Sequence, residues 1–233
     1  MARQARHVVP GYPHHVYLRG NNRRILFSDD DDRLQWLRCL QRGIDASSCE
    51  LHQLTLMDNH IHLIATPPDE DALAALVKRT CQRYAQLRNE QREATGKLFE
   101  ERYQSKVIES ERQMITTTLY NDANAFRAGM VPDPLLHEWS TGPLHAGRNG
   151  SRISAFMWTP AAWYLGLART RNACAIVYRG LMDSYAPADD PPAIEEESDG
   201  AEESYRYRVE RPDGTSAREP DLRWPHDLEK SSR

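Results

Sequence analysis

Two histidines separated by a single residue, His60 and His62, form the motif best suited to metal chemistry in this sequence. The segment 60–65 has the composition of a β-strand that follows a short turn. Because side chains alternate along a strand, both imidazoles are expected on one face, with Ile61 directed into the apolar layer. Two adjacent imidazoles can hold one divalent metal ion. The pair alone also fits two half-exposed polar strand residues, so a metal site requires further groups.

A helix predicted over 110–126 offers such groups. Tyr120 and Asn124 are four residues apart and therefore share one helical face. An amide oxygen is an acceptable ligand for a hard cation such as Mg²⁺, and a phenol can serve as a nucleophile in covalent catalysis. A phenol with its ordinary pKa of about 10 needs a base or a positively charged setting to react at neutral pH. A packed tyrosine beside a surface asparagine is the simpler alternative.

The order of the predicted elements indicates an α+β domain. A strand over 14–19 is followed by a helix that begins near Ser28, and two strands over 51–57 and 60–65 form a hairpin. A long helix over 71–92, a strand over 104–108 and the helix over 110–126 complete the unit. Antiparallel pairs and long crossing connections in one small domain favour an antiparallel sheet with helices on one face. Short helices are expected after residue 135.

Charge is distributed unevenly along the chain. Although the whole chain has a formal net charge of −4, residues 189–233 contain 14 acidic and 7 basic residues. The first 188 residues hold 20 acidic and 23 basic side chains and eight of the nine histidines. The acidic segment has few large apolar side chains, so we expect a disordered tail. The remaining, slightly basic part is compatible with a nucleic-acid partner.

Several classes of protein are disfavoured by composition. No apolar stretch approaches the roughly 18 residues that a membrane span needs, and no apolar segment follows the basic N-terminus, so neither a membrane protein nor a secreted protein is expected. The four cysteines are far apart and form no CxxC pair, which disfavours a zinc ribbon or a disulfide framework. This cysteine usage fits the reducing environment of the cytoplasm.

Several segments together resemble the IS200-like transposase family, in particular its branch of REP-associated tyrosine transposases. The segments are VYLRGNN at 16–22, FSDD at 27–30, LMDNHIHLI at 56–64, GKLFEERYQS at 96–105 and RAGMV at 127–131. They occur in the order found in the family and extend over roughly the first 131 residues. The joint match is far more specific than any single motif.

The resemblance implies a ferredoxin-like domain of the HUH endonuclease type, which acts on single-stranded or hairpin DNA in transposition. Carried over by position, His60, His62 and Asn124 are the ligands of Mg²⁺ or Mn²⁺, and Tyr120 is the nucleophile. In this family the tyrosine attacks a phosphate of the DNA and forms a 5′-phosphotyrosine link with release of a 3′-hydroxyl group. A bound metal ion stabilises charge on the phosphate.

Two alternatives remain open. The family commonly has proline where this chain has Ala125, which motivates a domesticated protein that binds DNA without cutting it. Tyr84 is a second helical tyrosine and a rival nucleophile. We prefer Tyr120, because only Tyr120 has an amide partner four residues on and is followed by the segment 127–131.

Basic residues near the first turn and on the long helix are candidates for phosphate contacts. They are Arg19, Arg23, Arg24, Lys78, Arg79 and Arg83. The expected organisation is a transposase-like domain over 1–134, a small helical extension over 135–188 and the acidic tail over 189–233. The sequence leaves the oligomeric state open between a monomer and a homodimer.

Overall fold

The computed structural model describes residues 8–100, 102–153 and 157–185. The strands are β1 His14–Arg19, β2 Glu50–Leu56, β3 His60–Thr66 and β4 Gln104–Val107. The helices are α1 Asp30–Ser47, α2 Ala72–Gln91, α3 Glu111–Arg127, α4 Gly142–His145, α5 Ala162–Gly166 and α6 Arg171–Asp183, with 3₁₀ turns at Asn21–Arg23 and Pro134–Leu136. The acidic tail expected over 189–233 lies outside the described residues.

The four strands form one antiparallel sheet in the order β2-β3-β1-β4. Along the chain, the first six long elements follow the order β1, α1, β2, β3, α2 and β4. This combination is the ferredoxin-like arrangement, and the predicted α+β class is confirmed. Among the described residues, no helix is both long and apolar enough to cross a bilayer.

One face of the sheet carries the main apolar core. Leu54, Ile61 and Leu63 point from β2 and β3 towards α1 and α2, where Trp36 and Tyr84 are completely buried. Burial of each large apolar side chain stabilises the fold by about 1.5–3 kcal/mol. The two helices approach each other closely at Gly43, since a Cβ atom there would lie 2.6 Å from the Thr80 hydroxyl.

The third long helix lies against the opposite face of the sheet. The sequence placed all helices on one face, and α1 and α2 follow that expectation, whereas α3 does not. The reason is that β3 also offers an apolar side chain on its second face: Ile61 and Leu63 face α1 and α2, while Ile64 packs in a second apolar cluster with Met114 and Leu119 of α3. The sheet is therefore covered on both faces around β3.

The helical extension after residue 134 packs onto this second face and onto the outer edge of β2. The Trp158 indole donates to the carbonyl of His52, and the amide of Thr141 donates to the carbonyl of Leu54. Trp163 and Tyr178 join the apolar cluster of α3. These contacts use hydrogen-bonding groups on the free edge of β2, which covers an edge that would otherwise be open to pairing.

Candidate functional site

The two motif histidines lie side by side on the sheet face that α3 partly covers. The ring centroids of His60 and His62 are 5.1 Å apart. His62 is only 4 % exposed, whereas His60 is half-buried at the start of β3. Tyr17 of the neighbouring β1 contacts both rings, with centroid distances of 5.6 and 5.0 Å. The structure therefore confirms the shared face that strand alternation predicts.

The surroundings of both rings favour the form that binds metal. Burial lowers the pKa of His62 well below its ordinary value, and the neighbouring His15 and His60 lower the pKa further. A neutral imidazole is the metal-binding form. The Nδ1 atom of His60 lies 2.7 Å from the Asn59 side-chain oxygen, to which it donates. The lone pair of His60 is then on Nε2.

A third imidazole, which the sequence reasoning missed, stacks on His62. His15 of β1 is 7 % exposed, and its ring centroid lies 5.3 Å from that of His62 with an interplanar angle of 21°. The His15 Nε2 and His62 Nδ1 atoms are 3.1 Å apart. Burial, followed by the charge of Lys106, lowers the pKa of His15 to about 3. Strand alternation in β1 could have indicated this residue, because it places His15 and Tyr17 on one face.

Tyr120 reaches the same place from α3. Its ring meets His62 edge-on with a centroid distance of 6.0 Å. The Arg127 guanidinium lies 4.8 Å above the Tyr120 ring. A cation there favours negative charge on the phenol oxygen. The sequence reasoning assigned no role to Arg127, although its position seven residues after Tyr120 places it on the same helical face.

Ala125, where the family commonly has proline, lies inside α3 two residues before Arg127. Proline inside a helix removes a backbone hydrogen bond and kinks or ends the helix. With Ala125, which is completely buried, α3 continues without interruption to Arg127. Ala125 is therefore compatible with a helix that carries both Tyr120 and Arg127, and the departure from the family pattern removes no chemical group from the site.

Asn124 supplies a polar side chain that the described residues leave unsatisfied. Its Nδ2 atom is buried and has no hydrogen-bond partner among them. Since an amide can be turned through 180°, this end of the side chain can present either a donor or an oxygen ligand. No group of three or more His, Cys, Asp or Glu side chains in the described segments could hold a metal ion. A metal at this site would use two imidazoles and an amide, a donor set that suits a divalent cation such as Mn²⁺.

The rival nucleophile Tyr84 lies on the other side of the sheet. Its side chain is completely buried in the core of α1 and α2, and its hydroxyl donates to the carbonyl of Leu26 at 2.8 Å. Burial raises the pKa of Tyr84 strongly, because the phenolate would be desolvated. We exclude Tyr84 as the nucleophile on these grounds.

The predicted phosphate-binding residues divide into two groups. Arg19 pairs across the strands with His60, but its guanidinium donates to Glu100 at 2.5 Å, so its charge is already compensated. Arg23 and Arg24 are exposed in the turn that follows β1. The carbonyl of Arg23 accepts from the Asn59 amide, which ties this turn to the residue before His60.

The other group, Lys78, Arg79 and Arg83, is not brought to the histidines. These side chains are exposed on α2, which covers the opposite face of the sheet. Arg79 and Arg83 line a surface pocket between α1 and α2 together with Arg42. DNA bound at His62 could reach this pocket only by passing around the edge of the sheet.

A buried polar network fixes the position of α3. The Asp122 carboxylate is completely buried and accepts from the Tyr178 hydroxyl at 2.6 Å, from His145 Nδ1 at 2.8 Å and from Gln53 Nε2 at 3.0 Å. Gln53 also accepts from Asn121 at 2.9 Å. Asp122 therefore links α3 to β2 on one side and to α4 and α6 on the other, two residues from Tyr120.

Comparison with known proteins gives two kinds of match. Residues 8–121 match the sequence pattern of the family described as "Transposase IS200 like". No curated protein sequence matches the chain. Among solved structures, a REP-associated tyrosine transposase bound to a REP hairpin is similar over 69% of this chain and 93% of its own, with a TM-score of 0.55 and 16% identity. A candidate transposase from Deinococcus radiodurans R1 covers 55% of this chain and 98% of its own, with a TM-score of 0.37 and 18% identity.

Proposed function

We propose that this protein, whose residues 8–121 match the IS200-like transposase family, cuts and rejoins single-stranded DNA beside a hairpin through a covalent tyrosine intermediate. The family match supports a transposase. Hairpin DNA is proposed as the substrate because a solved structure of the same fold is that of a transposase bound to a REP hairpin.

One observation carries the proposal: a helix places a tyrosine against a pair of adjacent strand histidines. The Tyr120 ring is 6.0 Å from His62, and His62 is 5.1 Å from His60. The Arg127 guanidinium above Tyr120 adds positive charge where a phosphate would have to approach. A tyrosine with a purely structural role would not need a histidine pair beside it and a cation above its ring.

The proposed reaction assigns one task to each side chain. His60, His62 and Asn124 would hold the metal ion, and Mg²⁺ or Mn²⁺ bound there would polarise the scissile phosphate and stabilise its developing charge. The Tyr120 oxygen forms a bond to phosphorus as the bond from phosphorus to the 3′ oxygen breaks. The 3′ oxygen leaves as a hydroxyl group after taking up a proton. Arg127 stabilises the phenolate before attack.

The direct test is to incubate the protein with Mn²⁺ and hairpin DNAs that carry randomised single-stranded flanks. We expect DNA labelled at its 3′ end to remain attached to the protein on a denaturing gel, while DNA labelled at its 5′ end is released as a shorter strand. Mass spectrometry should place the link on the peptide that contains Tyr120. Chelation of the metal should abolish the product.

A failure of this test would take a defined form. Tight binding to the hairpin DNAs without any attached product, across the whole pool and with either metal, would reject the nuclease and favour the DNA-binding protein without catalysis. A link on any other residue would reject Tyr120 as the nucleophile.

Arg23 and Arg24, near His60, should contribute more to DNA binding than Arg79 and Arg83 on the opposite face of the sheet. Arg23→Ala/Arg24→Ala removes two exposed charges near His60 and should lower the slope of log affinity against log salt by about 1.4, as expected for two phosphate contacts with a single strand. Arg79→Ala/Arg83→Ala removes the same charge from the far face and should leave the slope for a short hairpin unchanged. Fluorescence anisotropy over a range of salt concentrations measures both slopes. Equal losses in the two double variants would contradict this assignment.

A further inference from the structure

The structure adds a third imidazole to the two that the motif supplies. His15 lies on β1 and His62 on β3, and their rings are stacked with a centroid distance of 5.3 Å. The contact between His15 Nε2 and His62 Nδ1 is 3.1 Å long and buried. Nothing in the proposed reaction has yet used this contact.

The contact restricts the tautomers of both rings. Both rings are buried at this contact, since His15 is 7 % exposed and His62 is 4 % exposed. In a hydrogen bond between two neutral imidazoles, one nitrogen donates its proton and the other accepts through its lone pair. His62 therefore either donates through Nδ1 and has its lone pair on Nε2, or accepts through Nδ1 and carries its proton on Nε2.

Only the first arrangement is compatible with a metal ligand. The Nδ1 atom of His62 is engaged by His15, so a metal ion can be bound only by Nε2, which must then carry a lone pair. His60 shows the same pattern, since its Nδ1 contacts the Asn59 oxygen at 2.7 Å. If His15 is the acceptor, Nδ1 of each histidine is engaged by a neighbouring acceptor, as is usual for metal-ligating histidines.

We propose that His15 is a positioning residue that accepts the Nδ1 proton of His62 and thereby holds Nε2 of His62 ready to bind a divalent metal ion. This inference rests on the proposed function for the presence of the metal. His15 itself carries its proton on Nδ1 and does not touch the metal.

Two variants distinguish the effect of losing the hydrogen-bond acceptor of His15 from the effect of losing the volume of its ring. His15→Leu fills much of the space but cannot accept a proton, whereas the His15→Gln side-chain oxygen can take the place of Nε2. We expect His15→Leu to weaken Mn²⁺ binding about 10–100-fold, the usual effect of removing such a partner. His15→Gln should stay close to the wild type. Electron paramagnetic resonance titration of free Mn²⁺ measures the affinity, and urea denaturation checks that both variants are folded.

His14→Leu is the matched control. His14 precedes His15 on β1, points to the other face of the sheet and is completely buried. Its loss removes a buried imidazole without touching His62, so Mn²⁺ affinity should be unchanged.

Nitrogen-15 NMR of the metal-free protein provides a readout that needs neither metal nor DNA. The wild type should show the Nδ1 proton on His62, and His15→Leu should shift the ring towards the Nε2 tautomer. A wild-type His62 with its proton on Nε2 would overturn the proposal. Equal loss of Mn²⁺ affinity in His15→Gln and His15→Leu, with the His62 tautomer preserved in both, would also overturn it and make His15 a direct ligand.

The outcomes also separate this inference from the proposed function. If the wild type formed no adduct with DNA while His15→Leu still weakened Mn²⁺ binding, the nuclease would be rejected and the positioning role retained. If the adduct formed equally well in His15→Leu with unchanged Mn²⁺ affinity, the positioning role would be rejected and the nuclease retained.

Discussion

Replacing Tyr120 with phenylalanine is expected to abolish the covalent link between the protein and DNA while leaving the fold and DNA binding intact. The substitution removes only the phenol oxygen. The ring can keep its edge-on contact with His62 at 6.0 Å and its place under the Arg127 guanidinium at 4.8 Å. Loss of a nucleophile commonly costs on the order of 10⁴-fold or more in rate, so the attached product should fall below detection. The affinity for hairpin DNA should change by less than about 2-fold, since the substitution removes none of the basic side chains that contact phosphate.

Tyr84→Phe is the control for this result. It removes a phenol oxygen from the core, where the hydroxyl donates to the carbonyl of Leu26. It should lower the free energy of unfolding by about 1 kcal/mol and leave the attached product unchanged. A product that persists in Tyr120→Phe and disappears in Tyr84→Phe would reverse the assignment of the nucleophile.

Removal of the Asp122 carboxylate should produce the largest loss of stability. Asp122→Ala leaves the Tyr178 hydroxyl, His145 and Gln53 without their shared acceptor in a site with no exposure. Each buried donor left without an acceptor costs about 1–3 kcal/mol, so the loss of an acceptor shared by three donors should cost several kcal/mol in total. Urea denaturation followed by tryptophan fluorescence should show a midpoint shifted to much lower urea with an unchanged slope.

Asp183→Ala is the matched control, because Asp183 is an exposed carboxylate at the end of α6. Its removal should change the free energy of unfolding by less than about 0.5 kcal/mol. Equal urea midpoints for Asp122→Ala and Asp183→Ala would show that the hydrogen bonds of Asp122 do not hold α3 against the extension. Asp122→Asn, which keeps an oxygen acceptor, should fall between the two.

The buried contacts between α3 and the extension after residue 134 have a functional consequence. Asp122 lies two residues from Tyr120 on the same helix, so the contacts of α4 and α6 with Asp122 also hold Tyr120, the proposed nucleophile, in place. The extension after residue 134 thus completes the site from a distance. Within the described residues, the part up to residue 134 and the extension after it therefore share buried contacts.

Local periodicity was sufficient to predict the long strands and helices of the fold. It also predicted the residue pairs of the candidate site that lie within a single strand or helix. Strand alternation places His60 and His62 together, and helical spacing places Tyr120 and Asn124 on one face, because both regularities depend only on backbone geometry. Acidic residues and the serine before Glu111 likewise indicate where helices begin, and Ser110 does cap α3. Such information is contained in a few consecutive residues.

What the sequence by itself determined, then, is the order of the elements, the α+β class and the pairing of residues within each element. Only the tertiary structure decided that α3 crosses to the second face of the sheet and meets β3 there. It also decided that Tyr84 is buried and that His15 lies against His62. These facts depend on how distant segments pack, since β1, β3, α3 and the extension are brought together by apolar burial and by buried hydrogen bonds that leave no periodic trace in the chain.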